Sequence, residues 1–183
     1  MPKTKGINVL EMVKFLRARR DAALELMPET LRHYLDERIN VASWYPEEDM
    51  IGLVRVLVQL LPEGDEEPLV SIGRLNAHQH IEGTYKHLFE SPRSATLPLR
   101  AATLWKSMHD SGEFRVVMGD GEATAEVSGY AYPTPEMCTM IRPYLEELFR
   151  ASGIEKVQVD KRACCRVGAS VCRYRVSWES LDT

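Results

Sequence analysis

In the first stretch of the chain, INVLEMVKFL, the apolar residues Ile7, Leu10, Val13 and Leu16, with Met12 and Phe15 beside them, recur every three to four positions. That spacing predicts a helix with one buried stripe. SWYPEEDMIGLVRVLVQLLP predicts a second and longer helix. Ser43 stands at or just before its cap, Pro46 suits the first turn, Glu47, Glu48 and Asp49 complement the positive helix end, and Pro62 closes the run. Its core face comprises Met50, Leu53, Val54, Leu57, Val58 and Leu61. A shorter helix opens at Pro28, and residues 68–90 and 95–110 continue the helical period on either side of SPRS.

After residue 112 the period changes to two. Phe114, Val116 and Met118 form one run, GDG supplies a turn, and Ala123, Ala125 and Val127 alternate back, which predicts a β-hairpin. PTPEMCTMIRPYLEELFRASG returns to helix, with Met137, Tyr144, Leu145 and Leu148 on one face and Gly153 as a stop. Two strands follow, EKVQVDKRAC and VCRYRVSW. The expected fold is α+β, with N-terminal helices (residues 1–110) packed on a four-stranded antiparallel sheet whose β-β-α-β-β half spans 111–183. At 183 residues the chain suits one domain, 1–183.

Composition narrows the function classes. An apolar share of 44%, a charged share of 27% and a net charge of -4 describe a globular chain and argue against a nucleic-acid partner. No segment has the roughly 18 uncharged apolar residues of a membrane span. Glu11 and Lys14 interrupt what would be a signal-peptide core, so a cytoplasmic location is expected. No nucleophile elbow and no phosphate loop is present, so a non-catalytic protein is expected. The aromatic candidates for lining a ligand pocket are Trp44, Tyr85, Phe89 and Trp105. His78, His80 and His87 lie close in sequence, but offsets of two, seven and nine do not put neighbours on one helix face.

Three of the four cysteines fall in VDKRACCRVGASVCRYRVSW. The residues alone leave three readings open: buried core sulfurs, a metal site with Cys138, Cys164, Cys165 and Cys172 as candidate ligands, or a redox pair. In a regular strand, Cys164 and Cys165 point to opposite faces, and parity puts Cys165, with Val157 and Val159, on the inner face beside Cys172 unless a bulge intervenes.

The spacing Cys164-x3-Gly168-x3-Cys172, followed by an aromatic and VSW, resembles the end of the 4-vinyl reductase-type domain. That domain belongs to a superfamily that shares its fold with heme-nitric-oxide domains and with subunits of the vesicle-tethering transport particle. FLRAR, SWYP, the Tyr85 region, LWKSMHDSGEF, the helix bearing Cys138 and GASVCRYRVSW together resemble a myxobacterial paralogous family. The resemblance implies helices on a four-stranded sheet around an apolar pocket, a homodimer, and a cytoplasmic signalling module that binds an apolar small molecule or a protein partner. A scaffold subunit without ligand, or an enzyme acting on a tetrapyrrole or aromatic substrate, are the alternatives. Zinc-binding relatives place ligands at positions matching Cys138, Lys161, Cys164 and Cys172, where Lys161 replaces a carboxylate. The Tyr-x-Ser-x-Arg motif of the heme-nitric-oxide relatives is absent, so heme is not expected, and no other cofactor is expected apart from a candidate zinc ion.

Overall fold

The structure, a computed structural model, describes residues 1–91 and 93–179. Strand β1 (Lys3–Lys5) leads into helix α1 (Gly6–Arg17) and α2 (Arg20–Leu26), and a 3-10 turn covers Glu29–Leu35. Strand β2 (Trp44–Pro46) pairs antiparallel with β1 and runs straight into α3 (Glu47–Gln59). Helix α4 (Glu67–His78) continues into a π-helical turn at Gln79–Thr84, and α5 (Leu97–Met108) completes the helical half. The second half runs β3 (Glu113–Met118), β4 (Glu122–Ser128), α6 (Pro135–Arg150), β5 (Gln158–Ala163) and β6 (Val171–Ser177). Its sheet is four-stranded and antiparallel in the order β3-β4-β6-β5, the α+β architecture that the hydrophobic periods predict.

Three local features differ from the sequence expectation. The run expected to begin a helix near Ser43 instead gives Trp44–Pro46 to a two-stranded ribbon, and Pro46 rather than Ser43 stands at the helix start, with no side-chain cap. The segment after Pro28 tightens into a 3-10 turn that buries Leu31, Tyr34 and Leu35. The expected helix 68–90 stops being α-helical at His78 and widens to a π turn, which places His80 on the wall of the core.

The sheet buries one face. Phe114, Val116, Ala123, Ala125, Val127, Val159, Cys172, Tyr174 and Val176 point to the helices, while the outer face carries Glu126–Arg173 and Glu122–Arg175 pairs across neighbouring strands. Helix α6 opens with the Thr134 hydroxyl accepting the Met137 N–H at 3.3 Å and with Pro135 in its first turn. It then buries Met137, Met140, Leu145, Leu148 and Phe149, each contributing about 1.5–3 kcal/mol of apolar burial. One continuous core joins both halves.

Beneath α3 lies a carboxylate with no access to solvent: Glu47 is 0% exposed. Its Oε1 accepts from His109 Nδ1 at 2.7 Å and its Oε2 from the Ser111 hydroxyl at 2.8 Å. The Asn8 amide lies 3.3 Å from His109 Nε2 and donates to the Thr4 hydroxyl at 2.7 Å, while that hydroxyl donates to the Met108 carbonyl at 3.2 Å. With Asn8 as a donor, the network assigns one proton to His109, on Nδ1, and leaves the negative charge on Glu47 at the N-terminus of α3, where the helix dipole stabilises it. Removing one partner of such a group leaves the rest buried and unpaired. Glu47→Ala leaves the His109 Nδ1–H and the Ser111 hydroxyl without their acceptor and should lower unfolding free energy by about 1–3 kcal/mol for each, read as a lower urea midpoint with an unchanged slope.

Candidate functional site

Helix α4 crosses α6 in close backbone contact. A Cβ added at Gly73 would sit 2.4 Å from the Met140 carbonyl oxygen and 2.8 Å from the Pro143 ring. Only glycine permits this approach, which closes the helices over a cavity of about 80 Å³ bounded also by α1, α5 and the sheet. Its wall is apolar, with Met12, Met50, Trp105, Phe114, Met137 and Leu148 among the lining residues.

Two polar atoms on that wall have no hydrogen-bond partner, Asn76 Oδ1 and His80 Nε2. They stand four residues apart on α4 and its π-helical extension, hence on one face. His80 is 1% exposed, and its Nδ1 meets the Tyr144 hydroxyl from α6 at 2.9 Å. Burial pushes its pKa down to about 3, so the ring is neutral at ordinary pH. A phenol is the stronger donor of the pair and an unprotonated imidazole nitrogen the stronger acceptor, which favours Tyr144 donating to Nδ1 and leaves Nε2–H directed at the cavity. Two residues of an apolar chamber's wall thus carry one unpaired donor and one unpaired acceptor. An unpaired buried polar group costs about 1–3 kcal/mol, and an occupant that satisfies both atoms recovers it.

Of the aromatics expected to line a pocket, the structure brings only Trp105 to this cavity. Trp44 is 42% exposed on β2, under the Lys5 ammonium at 4.1 Å. Tyr85 packs edge-on to His80 and donates its hydroxyl to the Ser107 carbonyl at 3.3 Å, and Phe89 is buried beneath the Arg100 guanidinium. The expectation for Trp44, Tyr85 and Phe89 is corrected: a helical stripe shows which side chains turn inward, not which of them border an unfilled space. His80 and Asn76 were missed, although their i, i+4 spacing was visible.

A second cluster lies where α6 begins over the β5–β6 hairpin. The sulfurs of Cys138, Cys164 and Cys172 all lie within 4.8 Å of one another. The bulge between Lys161 and Ala163 shifts the register by one residue, so Cys164 joins the sulfur cluster, while Cys165, the residue that parity places inside, also lies against Cys172. Cys165 opens the 3-10 turn that Gly168 closes in the left-handed region at φ 91°. The Lys161 ammonium lies beside the Cys138 and Cys164 sulfurs. Some desolvation raises the Cys164 thiol, but the Arg166 backbone N–H, the Lys161 ammonium and Cys172 outweigh it and bring the pKa down to about 7. Desolvation prevails at Cys138 and Cys172 and pushes both thiols up. Three sulfurs are one short of the four ligands usual in structural zinc sites, and the neighbouring ammonium opposes a dication.

No protein-family model matches the sequence, and no curated protein matches it. Solved structures do match in shape. An H-NOX protein from S. oneidensis in its Fe(II)NO state superposes with a TM-score of 0.68 at 14% identity, covering 96% of this chain and 99% of that one. A mutant H-NOX protein from K. algicida, Fe(II) and unliganded, gives 0.68 at 10% identity over 97% and 98%. A third, solved to probe heme distortion in the H-NOX family, gives 0.65 at 14% over 96% and 95%. The chain has an H-NOX-like fold. At these identities the likeness establishes the fold alone. It overturns the expectation that set heme aside, because the H-NOX-like fold carries heme in proteins of nearly the same length. The absence of one propionate-binding motif does not outweigh that.

Because His80 has its ordinary pKa near 6.5 when unfolded and about 3 when folded, the native state binds fewer protons. Its contribution is fully present above pH 6.5 and is lost as pH falls toward 3, with a slope of up to about 1.4 kcal/mol per pH unit. A His80→Gln variant should show a flatter fall over that window in urea unfolding measured at successive pH values.

Proposed function

We propose that this protein is a non-catalytic ligand sensor whose cavity takes a small apolar molecule bearing one hydroxyl-like group. Such a group donates to Asn76 Oδ1 and accepts from His80 Nε2. The observation that carries this reading is the pair of orphaned polar atoms on one face of an otherwise apolar chamber. A solid core would instead favour a scaffold subunit. An enzyme on a tetrapyrrole or aromatic substrate would need a convergent set of acid, base or nucleophile, whereas His109, Asn8 and Tyr144 on the cavity wall are committed to hydrogen bonds within the core, which leaves His80 Nε2 and Asn76 Oδ1.

Size limits the occupant. The cavity of about 80 Å³ is smaller than the roughly 150 Å³ that admits benzene and well below the roughly 300–1,000 Å³ of pockets for drug-sized ligands. A larger ligand must part α4 from α6 at Gly73. Heme is a plausible cofactor on the strength of the H-NOX-like fold. The donor chemistry suits it, since His80 Nε2 is an unpartnered imidazole nitrogen that can coordinate iron once the Tyr144 bond fixes the opposite tautomer. Bound there, a heme would supply an iron able to take a diatomic ligand. In the closed conformation the space does not admit the macrocycle, and no arginine or lysine lines the cavity to meet its propionates.

In this reading the occupied state passes to a protein partner through homodimer contacts, for which Leu75 on α4 and Leu99 on α5 are exposed apolar points, in a cytoplasmic protein. The place within the vinyl-reductase-type superfamily and its myxobacterial branch belongs to the same proposal.

Native mass spectrometry of the purified chain, with hemin and short-chain alcohols added in separate arms, tests it. We expect a bound molecule that raises stability by about 2.7 kcal/mol at a concentration 100 times its Kd, and loss of that gain in His80→Leu and Asn76→Leu. A Soret band lost in His80→Leu identifies heme as the occupant, and a stabilising alcohol without one identifies the small hydroxyl ligand. A chain of about 20.8 kDa that stays monomeric and is stabilised by neither defeats the sensor reading.

A further inference from the structure

The groove beside the thiol cluster is lined by Arg142, Lys161 and Arg166 with Cys138, Cys164 and Tyr174. Tyr174 forms its floor, 0% exposed, with its hydroxyl next to the Cys138 sulfur. Cys138 and Cys164 are both partly exposed, whereas Cys172 is buried. Lys161 contacts both accessible sulfurs, and its ammonium lies over the Tyr174 ring at 5.5 Å. Two accessible thiols within 4.8 Å of each other have to close to roughly 2.05 Å to form a disulfide. One sits on α6 and the other on the hairpin, so a bond between them would staple these elements together.

We propose that this groove is a hydroperoxide-oxidised thiol site in which Cys164 is attacked first and Cys138 resolves it to a disulfide. The Cys164 sulfur attacks one peroxide oxygen, so that an S–O bond forms and the O–O bond breaks. The sulfur loses two electrons, the peroxide gains them, and the departing oxygen leaves as water after taking the thiol proton through Lys161. Cys138 then displaces hydroxide from the sulfenic sulfur and its own proton completes a second water. Two thiols and one hydrogen peroxide thus become one disulfide and two waters. Lys161 faces the oxygen that leaves.

The test treats the full-length folded chain with hydrogen peroxide, blocks remaining thiols and maps peptides without reductant. The expected product is a Cys138–Cys164 linkage, reversed by dithiothreitol. Cys138→Ser should lose the linkage and leave a sulfenic acid at Cys164 that dimedone traps, and Cys164→Ser should leave Cys138 reduced. Circular dichroism of both variants checks that they fold, and a chain unfolded in urea should give mixed pairings instead. A Cys164–Cys172 linkage, an unmodified cluster, or freshly purified protein holding one zinc per chain that shields all three thiols would each overturn the proposal.

Discussion

The helical half is organised around one buried negative charge. Taking the Glu47 carboxylate out of water is costly unless every lone pair finds a donor, and its donors come from distant parts of the chain. His109 follows the end of α5 and Ser111 precedes β3, while Asn8 and Thr4 from the N-terminal segment hold the far side of the His109 ring. Trp105 stacks on that ring at 4.3 Å and donates its indole N–H to the Ser111 carbonyl at 3.1 Å. The same cluster therefore fixes where α5 stops, how β3 leaves it and where the β1–β2 ribbon lies. Trp105, Asn8 and His109 also border the cavity, so the network that anchors the fold sets one wall of the candidate site.

The opposite wall depends on a missing side chain. With Gly73 against Met140 and Pro143, α4 and α6 approach closely enough to close most of the space between them. Tyr144, one turn further along α6, then reaches His80 across the gap. The two helices are held by contacts that a larger occupant would have to break, and the His80–Tyr144 bond would report that opening. Helix α6 also carries Cys138 at its start, so the cavity and the thiol groove share a structural element.

Periodicity alone made the architecture legible. Apolar spacing separated α1, α3, α5 and α6 from the strands, and the parity of β4 and β6 correctly assigned Val127, Cys172, Tyr174 and Val176 to the buried face. The site was only partly legible. The cysteines stood out because three fall within nine positions; parity pointed to Cys165, which does lie against Cys172, but the extra residue at Arg162 brings Cys164 to the same cluster as well. His80 was discounted because its alignment with other histidines was poor, whereas its neighbour on the helix face is an asparagine and its hydrogen-bond partner lies 64 residues away.

What the sequence by itself determined is therefore local: the type and order of the main elements, the sheet's inner face, and the presence of a cysteine-rich hairpin. These follow from backbone geometry, in which side-chain direction repeats with a fixed period and needs no knowledge of the partner. The tertiary structure alone decided which polar groups are satisfied and which are not. Glu47 meets His109 across 62 residues, while Asn76 Oδ1 and His80 Nε2 are left facing an apolar space with no partner. Whether a buried polar atom is a settled part of the core or an open valence for a ligand depends on what packs against it in three dimensions, and spacing along one element carries no record of that.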